Sequence, residues 1–131
     1  MASAYGVRLH FFNRLRDELG YARYWRRSIS IYRGMSPGMM ISVFFHELGH
    51  VHCFETSRWQ SYHLDKLISE MTHGEKTLIL RTALRAERWI DRWARAEMRK
   101  HFLGVRYYCV YDDPGASRRL RDDLKRQLCV N

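Results

Sequence analysis

The chain has 131 residues, 46% hydrophobic and 28% charged, values that suit one folded domain and exclude a disordered tail. No apolar run approaches the ~18 residues of a membrane span, and the first residues lack the ~7–15-residue apolar block of a secretory signal, so the expected home is the cytoplasm with no membrane partner. Lys and Arg outnumber Asp and Glu by 23 to 14, a net charge of +9 that favours nucleic acid or acidic proteins as neighbours without naming either.

In chain order, residues 13–19 read as a short helix closed by Gly20, because a missing Cβ suits the left-handed turn after a helix. Residues 28–33 alternate polar and apolar, the period of a half-buried strand, and Gly34 breaks it. Ser36 and Pro37 mark a helix start. The serine hydroxyl accepts from an orphan N–H, and proline at the first position lacks a donor that has no partner there anyway. That helix is expected over 37–54. Residues 56–74 are polar and irregular, with a candidate short helix at 64–71. A long helix follows over 75–101 and stops near Gly104. The stretch 105–111 suits a strand or a continued helix equally. Pro114 and Gly115 make a turn, and 117–128 reads as a basic helix capped by Ser117. The fold class is α+β in one domain over 1–131. Cys53, Cys109 and Cys129 form no Cys-x-x-Cys pair and read as reduced thiols in or near the core.

Residues 46–50 read His-Glu-Leu-Gly-His inside the Ser36-capped helix. Positions four apart share a helix face, so His46 and His50 can aim both imidazoles at one metal ion. Glu47 is rotated about 100° from His46, beside the open position, where its carboxylate can take a proton from water as general base. Chance yields such a pattern in about 2% of shuffled chains of this composition, and the capped helix around it makes chance a poor explanation.

A catalytic zinc needs a third protein ligand. Cys53 and Thr56 stand where the metzincin pattern requires Gly and His, which excludes that class. His52 faces away from the pair. Glu87 is the better candidate, with His63 and His73 as alternatives. Helical spacing brings Leu80, Ala83, Leu84, Asp91, Ala94 and Met98 within about 60° of Glu87, which puts two carboxylates in the middle of an apolar stripe. Burying them unpaired costs several kcal/mol, so a cation is expected. Glu87 would ligate a metal and Asp91, one turn on, would hold a ligand histidine in position. Pairing of both carboxylates with arginines of a neighbouring element is the other reading. Candidate donors to a tetrahedral oxyanion are Tyr62, His63 and His73, beside His52, Tyr107 and Tyr108. The 28–33 strand is expected to align an extended substrate along its edge.

Arg81, Arg85, Arg88, Arg92, Arg95 and Arg99 alternate four and three apart and line one side of the long helix. This basic face suits phosphates or an acidic partner, and equally a solvated face whose stems cover apolar surface. Trp89 and Trp93 are expected in the core.

HExxH on one helix and Glu-x-x-x-Asp on the next are similar to the gluzincin plan of thermolysin-type peptidases. The 28–33 strand, the His-Glu-Leu-Gly-His motif and Glu87-x-x-x-Asp91-x-x-Ala94 resemble the ImmA/IrrE-like small zinc metallopeptidases, compact proteins of bacteria and phages, over about residues 28–98. The resemblance implies a minigluzincin-like fold, a compact helical domain with a short β-sheet beside the HExxH helix. It implies zinc on His46, His50 and Glu87, Glu47 as general base, and a protein substrate such as a DNA-binding regulator. No helix-turn-helix segment is recognisable, and the arginine-rich helix departs from the family. The alternative is a zinc-stabilised, non-catalytic binding protein that engages nucleic acid or an acidic protein through its arginine face.

Overall fold

The computed structural model describes residues 2–15, 18–56, 67–108 and 115–129. Strands β1 (Arg8–Phe12), β2 (Gly20–Arg23) and β3 (Ser28–Tyr32) precede helices α1 (Pro37–Glu55), α2 (His73–His101) and α3 (Ala116–Gln127). The class is α+β, as composition and pattern predict.

The sheet order is β1-β3-β2, with β3 parallel to β1 and antiparallel to β2. This order corrects one expectation. The 28–33 strand is central and its backbone is paired on both sides, so β3 has no edge to offer a substrate. The helix expected over 13–19 is also absent: its described residues carry no helix, and Gly20 opens β2. The sequence there is too short in apolar periodicity to separate a helix from a turn between strands.

Side chains alternate across each strand, so Ile29 and Ile31 turn to one face and pack with Phe44, Phe45, Leu48 and Val51 of α1 and Ala94 and Met98 of α2. α1 is therefore the middle layer, with the sheet on one flank and α2 on the other. Its apolar residues surround it rather than forming one stripe, as burial on two sides requires. Ser36 caps it by accepting from Met39 N at 3.3 Å, with Pro37 in the first turn, as expected.

α2 begins two residues earlier than predicted. Thr72 and Glu75 form a reciprocal capping box, Glu75 N donating to Thr72 Oγ1 at 3.1 Å. The helix stops at His101, three residues before Gly104, which takes a left-handed φ of 91°. Residues 105–108 form neither strand nor helix. They fold back onto α1, where Ser42 Oγ accepts from Tyr108 N at 3.1 Å. Between α1 and α2 the described helical segment is one short 3-10 turn, Ile68–Glu70.

α3 packs Leu120, Leu124 and Leu128 on Ile79 and Ala83 of α2, a second, smaller core. Gly115, not Ser117, occupies its N-cap position, and no side chain caps it. Cys53 is buried, Cys129 is exposed at the chain end rather than packed in the core, and Cys109 lies outside the described residues. Among the described residues no helix is long and apolar enough to cross a membrane.

Candidate metal centre

α1 supplies His46 and His50 from one face, and α2 brings Glu87 against them. Glu87 Oε2 lies 3.1 Å from His46 Nε2, Glu87 Oε1 lies 3.2 Å from His50 Nε2, and the two Nε2 atoms are 3.3 Å apart. The three residues form a cluster able to hold a metal ion. Glu87 is 3% exposed and Asp91 4%, so both carboxylates of the predicted apolar stripe are indeed buried. They face histidines, and the described ion pairs of both are with histidines rather than arginines.

The close approach of the helices depends on Gly49 within the motif. A Cβ there would stand 2.8 Å from Ile90 Cγ2 and 3.3 Å from the Ile90 carbonyl oxygen. Any larger residue separates α1 from α2 at the height of the ligands. Gly20 does the same on the other flank, where a Cβ would meet Val43 Cγ1 at 2.5 Å. Its role is close packing of β2 on α1 beside Glu47.

Asp91 orients the site. Its Oδ1 accepts from His46 Nδ1 at 2.9 Å and from the Tyr107 hydroxyl at 2.6 Å. A carboxylate accepts only, so His46 carries a proton on Nδ1, and Nε2 is the nitrogen it turns toward Glu87 and His50. Tyr24 stacks on His50 at 5.9 Å and 27° between planes.

The charges reflect this crowding. Burial pushes the Glu87 carboxyl up, but the His50 and His46 imidazoles outweigh it and hold the group well below the usual carboxylate range. Burial pulls His46 down, yet Glu87 and the hydrogen bond to Asp91 hold it well above its ordinary value. Burial raises the Glu47 carboxyl, and the two histidines oppose that only in part. Burial, then the charges of Glu47 and Glu87, raise the Tyr24 hydroxyl above its normal range.

These groups line a cleft of ≈ 520 Å³ walled by β2, α1, α2 and α3. His46 keeps 19% of its side chain exposed, so the cluster opens to the cleft. Glu47 and Tyr108 also line it. Two other predicted candidates are elsewhere. His73 is exposed in the first turn of α2, fourteen positions from Glu87 and therefore about 21 Å along the axis. It is neither a third ligand nor an oxyanion donor. His52 stacks on Trp93 at 4.7 Å and on Trp89 at 6.1 Å, away from the cluster. Tyr62 and His63 lie outside the described residues. Trp89 and Trp93 are half-buried, and Trp93 packs against the main core. On the basic face Arg81, Arg85, Arg88, Arg92 and Arg99 are exposed, and Arg95 is half-buried with its guanidinium 5.8 Å from the Tyr107 ring.

Sequence reasoning missed Tyr24, Gly20 and the Tyr107–Asp91 bond. Tyr107 stood among six candidate donors with nothing to single it out. Tyr24 sits in an aromatic-basic stretch, and only the pairing of β2 with β3 brings it to α1. At the level of class, the arrangement is a two-histidine, one-carboxylate cluster that could hold a metal ion. No protein-family model matches the chain. No curated protein and no solved structure is significantly similar to it.

Proposed function

We propose that the protein is a zinc-dependent metallopeptidase that hydrolyses a peptide bond in a partner protein, with Glu47 as general base. One observation carries this reading. Bonds of about 2.0–2.1 Å, as zinc makes with nitrogen and oxygen, set tetrahedral ligands about 3.3 Å apart, and the three donor separations are 3.1, 3.2 and 3.3 Å. Three protein ligands facing a cleft leave a fourth position for water or substrate, the pattern of catalytic rather than structural zinc.

His46, His50 and Glu87 would hold the zinc, which would lower the pKa of a bound water to about 7 and polarise a carbonyl. Glu47, one residue past the first ligand, accepts the proton and delivers it to the leaving amine. Its burial-raised carboxyl suits that work, since a base near the operating pH exchanges protons best. β2 lines the cleft with Gly20, Tyr21 and Ala22 and, among the described residues, pairs only with β3. Its other edge is suited to pair with an extended peptide, the task first expected of β3. The resemblance to the ImmA/IrrE-like enzymes makes a DNA-binding regulator the first substrate to try.

A second reading, a zinc-stabilised binding protein without turnover, draws on the exposed arginines of α2. Glu47→Gln separates the two. The variant is expected to bind zinc as the parent does and to lose peptide hydrolysis by at least about a hundredfold. Unchanged hydrolysis overturns the mechanism, and absence of hydrolysis by the parent on a peptide library favours the binding protein.

A further inference from the structure

The face of the sheet turned away from α1 carries a second constellation that the metal centre does not use. Strand register places Arg8 and Arg23 on either side of Ser28, and His10 and Tyr21 on either side of Ser30. With serines at 28 and 30 and Tyr32 only at the end of the central strand, the face sinks into a trough of ≈ 340 Å³, lined also by Arg26 and Phe12. At one end the Phe12 ring lies 6.0 Å from Tyr21, 28° from parallel, and 5.9 Å from Tyr32.

No carboxylate among the described residues lines the trough. Among the described residues, Arg8, Arg23 and Arg26 take part in no salt bridge. Cations that stay unpaired around a concavity beside stacked rings are complementary to a polyanion that carries flat rings. Such a chain crossing the strands meets one arginine on each edge strand and aromatic faces beside them. A duplex hides its bases in its own stack and cannot use the rings. An acidic peptide uses the arginines and leaves the rings idle.

We propose that this trough binds single-stranded nucleic acid, with phosphates on Arg8, Arg23 and Arg26 and a base stacked at Phe12. The surface is separate from the metal cluster and stands whether or not the protein is a peptidase.

The test is fluorescence anisotropy of labelled oligothymidylate and oligouridylate, each about a dozen nucleotides, titrated with the full chain across salt concentrations. Arg8→Ala and Arg23→Ala are each expected to weaken binding and to reduce the slope of log affinity against log salt by about 0.7. The triple variant with Arg26→Ala abolishes binding. Phe12→Leu keeps an apolar side chain and weakens binding about tenfold with the slope unchanged. Arg85→Ala with Arg92→Ala, on the α2 face, leaves the slope unchanged. The three arginines are exposed, so their variants fold even where Phe12→Leu does not. Binding that survives the triple variant, or is lost with the α2 pair, overturns the proposal. So does equal binding of a duplex, and competition by oligoglutamate as strong as by the oligonucleotide makes an acidic protein the partner instead.

Discussion

Asp91 accepts two hydrogen bonds on one oxygen, and through the bond from His46 it fixes the nitrogen that faces Glu87. Replacing it with asparagine keeps size and removes charge. The amide can then present its NH2 to Nδ1, which allows His46 to turn its proton toward the metal side. Asp91→Asn is expected to weaken zinc binding about 10–100-fold, measured by competition with a chelating dye. The site also has a pH signature. Burial lowers the affinity of His46 for its proton, but Glu87 and Asp91 win, so metal-free His46 stays protonated well above its ordinary value of 6.5. Zinc must displace that proton. Glu87, held well below the carboxylate range, is already ionised at neutral pH and adds no such step. Apparent zinc affinity therefore rises with pH beyond 6.5 and levels off once His46 is neutral, with proton release seen calorimetrically on the lower side. An affinity flat with pH contradicts the assigned role of His46.

Between elements, the decisive contact is the crossing of α1 and α2 at Gly49. Alanine gains about 1 kcal/mol over glycine in helix propensity. Overpacking against Ile90 costs about 1–3 kcal/mol, because part of the obstacle is backbone. The net expectation for Gly49→Ala is a loss of up to about 2 kcal/mol in urea unfolding, together with weaker zinc binding as Glu87 moves off the histidines. A gain in stability with full metal binding contradicts this packing. Both main helices were legible in the chain, α1 from its Ser36-Pro37 start and α2 from the carboxylate-bearing apolar stripe along its length. So were His46, Glu47 and His50, since helical spacing alone puts them on adjoining faces. β2 was not legible. It has only four residues, and its glycine is required by a neighbour distant in sequence, Val43, so the same letter read locally as a helix stop. The strand order was hidden for the same reason, because alternation reports which face is buried and says nothing of which neighbour lies at each edge.

For the whole molecule, the sheet and α2 clamp α1 from two sides, and α3 leans on the first half of α2 to close the far wall of the cleft. The ligands thus come from two elements held by the main core, while the arginine trough lies on the opposite surface of the sheet. Among the described residues, the cleft that holds the candidate metal cluster and the arginine trough share only Tyr21, at the border of both. One divalent ion is proposed to sit between α1 and α2. Metal analysis of the purified full chain, beside His46→Ala and Glu87→Gln, tests it most directly. One zinc per chain is expected in the parent and Glu47→Gln proteins, and loss of it in the other two while their helical circular dichroism is retained. Substoichiometric metal in the parent, or full zinc in Glu87→Gln, contradicts it.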